Sequence, residues 1–371
     1  MTMNRRSVLA GAVALTALPA LARTNTAPSP AVRKLYRDAI VINGNLMPPF
    51  DPGKRLSAAE AQQVKKAGLT ALKITLGGAD MDRATTIEQI AETESAIAAN
   101  TDLFSKIASV GDIAAAKQAG RTGIILSFEG ASMLEGRVEE IDAFRASGVL
   151  VMGLSYNLAS PFASGVLARE ATGLTELGRA AVARMNARGV TLDISHSDEP
   201  SSLAAIAASR QPVLITHAGC SAIRPHPRNK SDALIRALAD RGGVIGIYEL
   251  SFLADGRRQQ SLDDYLAHLS HAIDIAGEDH VGVGTDGTMI RFDTSPASMK
   301  YWYEDIARRK ASGVGAPGEG PPPFVTELNR ADRMEVIAGA LEKRGYRSAA
   351  IEKILGANFQ RVFAESWNVT T

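Results

Sequence analysis

The stretch Val190–Gly219 constrains this chain more than any other. Val190–Ser195 is an apolar, β-prone run that ends on His196. Glu199–Ser209 is Ala-rich and helical, and Val213–Thr216 is a second apolar run that ends on His217. The pattern reads strand, helix, strand. Parallel strands need a crossover, usually a helix, and a spacing of 21 positions between the histidines is enough for one. As neighbours in one parallel sheet, the strands place both imidazoles at the same rim. That rim is the C-terminal edge, where α/β barrels keep their chemistry. Imidazole is the side chain most used to bind zinc.

The same alternation runs along most of the chain. Strands are expected at Ala39–Ile42, Leu69–Leu76, Thr122–Phe128, Val149–Leu154, Gly243–Tyr248 and His280–Gly284, with a minor one at Ile107–Val110. Helices are expected at Leu56–Ala67, Thr85–Asn100, Gly111–Ala119, Val138–Ser147, Thr175–Arg188 (Thr175 its N-cap), Ser231–Arg241 and Leu262–Ala276. About eight such units predict an α/β fold of the (β/α)8, TIM-like type. The competitor, an open doubly wound sheet, lacks the G-x-G-x-x-G that would follow an early strand in a dinucleotide fold. Gly313–Pro323 is a Gly/Pro-dense loop, and Arg330–Lys343 and Ser348–Leu355 are extra C-terminal helices.

Charge and composition narrow the partners. A net charge of +1 with no basic stripe argues against nucleic acid, and 5% aromatic residues leave little for base stacking. The opening Asn4-Arg5-Arg6-Ser7-Val8-Leu9 and the apolar run to Leu21 read as a twin-arginine-type signal peptide over 1–22. The run is too short to cross a bilayer, so the expected mature chain, 23–371, is one periplasmic domain with no membrane span. The single cysteine, Cys220, allows no intrachain disulfide. A homodimer is left open.

The polar residues that end strands are Asn43, Asn45, Glu129, Tyr156, His196, His217, Tyr248 and Asp286. In a barrel they converge on one mouth. A Glu with two His is a hydrolytic zinc set that leaves a coordination position for water. Asp286, in G-V-G-T-D-G, is either a turn residue or a proton shuttle or further ligand. Arg228 is either solvated or grips a carboxylate bidentately. Tyr156 and Tyr248 are core aromatics or site residues. His226, His268, His271 and His280 lie off the expected rim and are read as ordinary.

Taken together, S-F-E-G-A, L-S-Y-N, the long G-L-T-E-L-G-R-A-A-V-A-R-M-N-A-R-G-V-T-L-D-I-S-H, I-T-H-A-G, P-R-N-K-S-D and V-G-V-G-T-D give a chain that resembles the membrane (renal) dipeptidase family, zinc peptidases on an amidohydrolase-type barrel. The resemblance implies that Glu129 bridges two zinc ions, that His196 and His217 hold the second, and that Asp286 handles the proton of the attacking water. It implies that Arg228 binds the terminal carboxylate of a small peptide or amide. Tyr248, Asn43 and Asn45, strand ends on the same mouth, are expected at the substrate as well. Tyr156 stands where the family has a His that steadies the tetrahedral intermediate; a phenol can donate the same hydrogen bond. One departure matters. The family's first strand ends His-x-Asp, whereas this chain has Asn43-Gly44-Asn45, and neutral amides are poor zinc ligands. The expectation is a weak or absent first metal site. Two outcomes are open: a zinc hydrolase with a single ion, or a non-hydrolytic tailoring enzyme or binding protein for a peptide-derived small molecule.

Overall fold

Each expected strand–helix alternation becomes a wall of a barrel. The computed structural model describes residues 28–256 and 258–368, so the twin-arginine segment lies outside the described residues. Eight strands form the barrel: β1 Ile42–Asn43, β2 Ala71–Leu76, β3 Thr122–Phe128, β4 Val149–Gly153, β5 Thr191–Asp193, β6 Leu214–Ala218, β7 Val244–Ile247 and β8 Val281–Val283. They are hydrogen-bonded in that order and every pairing is parallel. The ring closes where the Gly44 N–H donates to Val283 O at 2.8 Å. This closure decides against the open doubly wound sheet.

The strands are buried on both faces, as an all-parallel sheet covered by helices must be. Small residues let the backbones meet at the rim. A Cβ on Gly246 would stand 2.2 Å from Thr216 O, and one on Gly284 only 1.8 Å from the same oxygen. Helix starts follow the expected chemistry: the Thr175 side chain accepts from Gly178 N–H at the head of Glu176–Arg188. The C-terminal helix Asn358–Trp367 caps the N-terminal end of the barrel. Asn358 Nδ2 donates to Glu278 O and Val281 O, and Trp367 Nε1 donates to Thr191 Oγ1. The opposite rim is left for the site. There, Leu46–Met47 pairs in parallel with Gly287–Thr288 and carries the β1/β8 seam above the barrel.

Four segments differ from the sequence reading. The minor strand lies at Phe104–Lys106, beside the start of β3, and Val110 already begins a helix. Asp112 Oδ2 accepts from the Ala108 and Ser109 N–H groups and fixes that start. Helices Pro30–Asp38, Pro296–Ala311 and Asn358–Trp367 were not expected, although the last buries Phe359, Val362, Phe363 and Trp367 at helical spacing. No helix among the described residues is long and apolar enough to cross a membrane.

Candidate metal centre and active site

Glu129 leaves the end of β3, His196 follows β5 and His217 lies in β6, so three separate strands deliver three side chains to one point. Their ligating atoms lie within 4.8 Å of one another, and all three residues are buried. His196 Nε2 is 2.9 Å from His217 Nε2; Glu129 Oε2 is 3.5 Å from the first and Oε1 is 3.6 Å from the second.

The far side of each ring settles its tautomer. The His196 Nδ1–H faces Asn157 Oδ1 at 2.8 Å. His217 Nδ1 faces Thr216 Oγ1 at 2.9 Å, and the only hydroxyl proton of Thr216 goes to Asp193 Oδ2 at 2.5 Å. Thr216 therefore accepts, and His217 carries its proton on Nδ1. Both Nε2 lone pairs then point at each other beside a carboxylate. Burial, followed by the charge of Arg228, pushes His196 down to about 4. Burial also holds His217 well below the usual imidazole range, against the pull of Glu129. Burial would raise Glu129, but its surroundings, with the Lys73 ammonium nearby, hold the carboxyl well below the usual carboxylate range. Two imidazole lone pairs and an anion converging without a proton between them fit a divalent cation. The donor set is that of zinc, whose tetrahedral partners stand roughly 3.3 Å apart.

Asp193 anchors this arrangement from below. Its carboxylate accepts from the Ser195 N–H at 3.0 Å, the Ser195 hydroxyl at 2.5 Å, the Thr216 N–H at 3.2 Å and the Thr216 hydroxyl. Lys73, equally buried, places Nζ 3.8 Å from Asp193 Oδ2 and donates to Ser127 Oγ.

Asn45 stands beside Glu129. Its Nδ2 donates both hydrogens, one to Glu129 Oε1 at 2.7 Å and one to Asp286 Oδ1 at 2.8 Å. A flipped amide would aim its oxygen at two carboxylates, so this orientation is the stable one. Asp286 sits at φ +55°, a left-handed conformation that Asp tolerates better than most residues. Burial and then the charge of Glu129 push its carboxyl up to about 7. Tyr156 stacks on His196 with centroids 4.2 Å apart, and burial pushes its phenol up to about 12, so it remains a donor. Arg228 is buried, donates to Ser195 O, and holds Nη2 3.2 Å from His196 Nε2.

These groups floor a cavity of about 1070 Å³ that includes Asn45, Glu129, Tyr156, His196, Arg228 and Asp286. Two expected substrate residues do not line it. Asn43 is fully buried and ties β1 to β8, donating to Thr285 Oγ1 and accepting from Thr285 N–H. Tyr248 is also fully buried, with its hydroxyl on Asn229 Oδ1. The four histidines read as ordinary make structural bonds: His226 to Pro317 O, His268 to Cys220 N–H, His271 to Asp232 and His280 to Gly243 O.

Residues 57–307 match the model of the membrane dipeptidase family, peptidase family M19. The chain belongs to that family. Its fold is thus that of a dipeptidase-type metallohydrolase, and the buried Glu129, His196 and His217 cluster is present in it. An uncharacterised protein of Klebsiella pneumoniae encoded in the pqqA 5′ region is 28% identical over 76% of this chain and 95% of its own length. An uncharacterised dipeptidase of Schizosaccharomyces pombe is 28% identical over 60% of this chain and 54% of its own. Among solved structures, an amidohydrolase from Pseudomonas aeruginosa superposes with a TM-score of 0.80 at 27% identity, covering 91% of this chain and 99% of that one. A metallopeptidase from Rhodobacter sphaeroides, liganded with a phosphinate mimic of L-Ala-D-Ala, gives 0.70 at 19% identity over 89% of this chain and 100% of that one.

Sequence reasoning missed Asn157, Asp193, Thr216 and Lys73. Asp193 had a signal: an acidic residue inside the apolar run T-L-D-I is seldom buried without a partner.

Proposed function

We propose that this protein is a dipeptidase working with a single zinc ion held by Glu129, His196 and His217. The observation that carries the reading is the Asn45 amide. Its nitrogen bridges Glu129 and Asp286 with two hydrogen bonds, a neutral donor at a position where an imidazole or carboxylate would be needed to help hold a second cation. When bound, zinc supplies polarisation of the scissile carbonyl and lowers the pKa of a neighbouring water toward ~7. The chain's own residues do the rest. Asp286 accepts the proton of the attacking water and passes it to the leaving amine. The Tyr156 phenol donates a hydrogen bond to the oxyanion as it develops. Arg228, on the cavity floor, receives the terminal carboxylate. Asn45 orients both carboxylates by its paired donation.

Metal analysis of the purified protein, read beside a dipeptide panel, tests this. One zinc per chain with dipeptide turnover is expected. Two ions per chain would overturn the single-ion reading. Zinc without turnover of any dipeptide would favour the second reading, a tailoring enzyme or binding protein for a peptide-derived molecule, for which the Asn43/Asn45 pair also speaks. Replacing Asn43→His together with Asn45→Asp is expected to raise the stoichiometry toward two. Export to the periplasm through the N-terminal segment belongs to the same proposal, and cell fractionation checks it.

A further inference from the structure

We propose that the cavity selects a substrate with a bulky apolar side chain, read by the face of helix Pro296–Ala311 that carries Trp302 and Ile306. This rests on the dipeptidase reading above and adds the substrate class. The groups proposed for the chemistry, Glu129, His196 and Asp286, come from strand ends and lie on the floor of the cavity, while Asp305 and Arg309 of helix Pro296–Ala311 add charge to one wall. Its walls come from elsewhere. One is Met47 and Phe50, just above β1; the other is Phe292 with the helix Pro296–Ala311.

That helix is unusual. None of its residues is buried, although Tyr301, Trp302 and Ile306 are apolar and face the cavity. Trp302 and Ile306 are four positions apart and share one face. A helix gains most of its stability by burying an apolar face, and here Trp302 and Ile306 are only half-buried and line the cavity. Tyr301 is 70% exposed and Met47 is 67% exposed. Apolar surface left open at the mouth of a polar floor marks a binding site.

The walls are also built before any ligand arrives. Trp302 meets Phe292 edge-on at 6.0 Å and donates Nε1–H to Gly320 O at 2.8 Å. Phe50 meets Phe104 edge-on at 5.0 Å. Arg309, on the same helix, forms a two-bond ion pair with Glu319 and donates to the Tyr156 hydroxyl, so the wall is tied to the floor. A cavity near 1070 Å³ is at the upper end of the range that accepts drug-sized ligands. A Gly- or Ala-only dipeptide would leave the walls wet. An aromatic or large aliphatic side chain would cover them.

The test compares kcat/KM of the zinc-loaded protein for Ala-Ala, Phe-Ala and Ala-Phe. At least one Phe dipeptide is expected to exceed Ala-Ala by on the order of 10- to 100-fold, the value of burying a large apolar side chain. Trp302→Ala is expected to compress that ratio, and Trp302→Phe, which keeps a ring but loses the Nε1–H bond to Gly320, to retain most of it. Ile306→Ala gives an independent second reading should Trp302→Ala misfold. Equal kcat/KM for all three dipeptides, or a preference untouched by both alanine variants, would overturn the proposal. If no dipeptide is cleaved, the hydrolase reading fails alone. Calorimetric titration of the same three dipeptides then decides the substrate class by the same ratio of affinities.

Discussion

Asp193→Asn is the substitution that best separates the parts of the centre. The change keeps the shape and removes one buried negative charge. Lys73 then loses the carboxylate it pairs with at 3.8 Å inside the barrel. Breaking a buried pair from one side costs about 3–5 kcal/mol. For a chain of this size, a melting temperature shifts by roughly 2 °C per kcal/mol, so a fall of about 6–10 °C is expected by calorimetry. A second effect is chemical. The new amide nitrogen takes the place of Oδ2 or Oδ1, and either the Thr216 hydroxyl or the Ser195 pair loses its acceptor. Thr216 then no longer presents a fixed acceptor to His217 Nδ1–H. Loss of such an outer partner weakens metal binding by about 10- to 100-fold, measured by competition with a chromophoric chelator. Adding Lys73→Met to Asp193→Asn removes the orphaned charge. Stability is expected to recover in part, while zinc affinity stays low. An Asp193→Asn protein that melts and binds zinc like the wild type would refute the account of how His217 is held.

Three further outcomes follow from the same geometry. Asp286→Asn is expected to lower kcat by at least about 100-fold with little change in zinc content, because Asp286 is the proposed proton carrier and is not among the three converging side chains; steady-state kinetics with metal analysis checks it. Gly284→Ala drives a Cβ to 1.8 Å from Thr216 O, directly behind His217, so a loss of at least about 1–3 kcal/mol and weakened zinc binding are expected in urea unfolding and chelator competition. Lys230 is fully buried, and burial, then Arg228, pushes its ammonium down to about 7. Between that value and the unfolded value near 10.4 the unfolded chain holds a proton the folded chain has released, so this group makes stability rise with pH across the window, by up to about 1.4 kcal/mol per unit. Lys230→Met is expected to flatten that rise; equal slopes for both proteins in urea unfolding at pH 7, 8 and 9 would refute it.

What the sequence revealed and what it concealed divide along a physical line. The barrel was readable because buried parallel strands are short apolar runs separated by amphipathic helices, a pattern that Thr122–Phe128 and Leu262–Ala276 follow to the residue. The convergence of Glu129, His196 and His217 was readable because each ends or follows such a run, and a closed parallel barrel sends all those ends to one rim. Asn43 and Asn45 were harder. Both end the same strand two positions apart, yet one ties the seam of the barrel and the other bridges two carboxylates. Side-chain direction at a strand end depends on the local turn, which the alternation does not encode. Helix Pro296–Ala311 was hidden for a different reason. Periodicity reveals a helix when one stripe is packed against protein, and this helix has no buried residue to mark such a stripe. The same fact that concealed it from the sequence, an apolar face that protein covers only in part, is what makes it the wall against which a substrate side chain is proposed to be read.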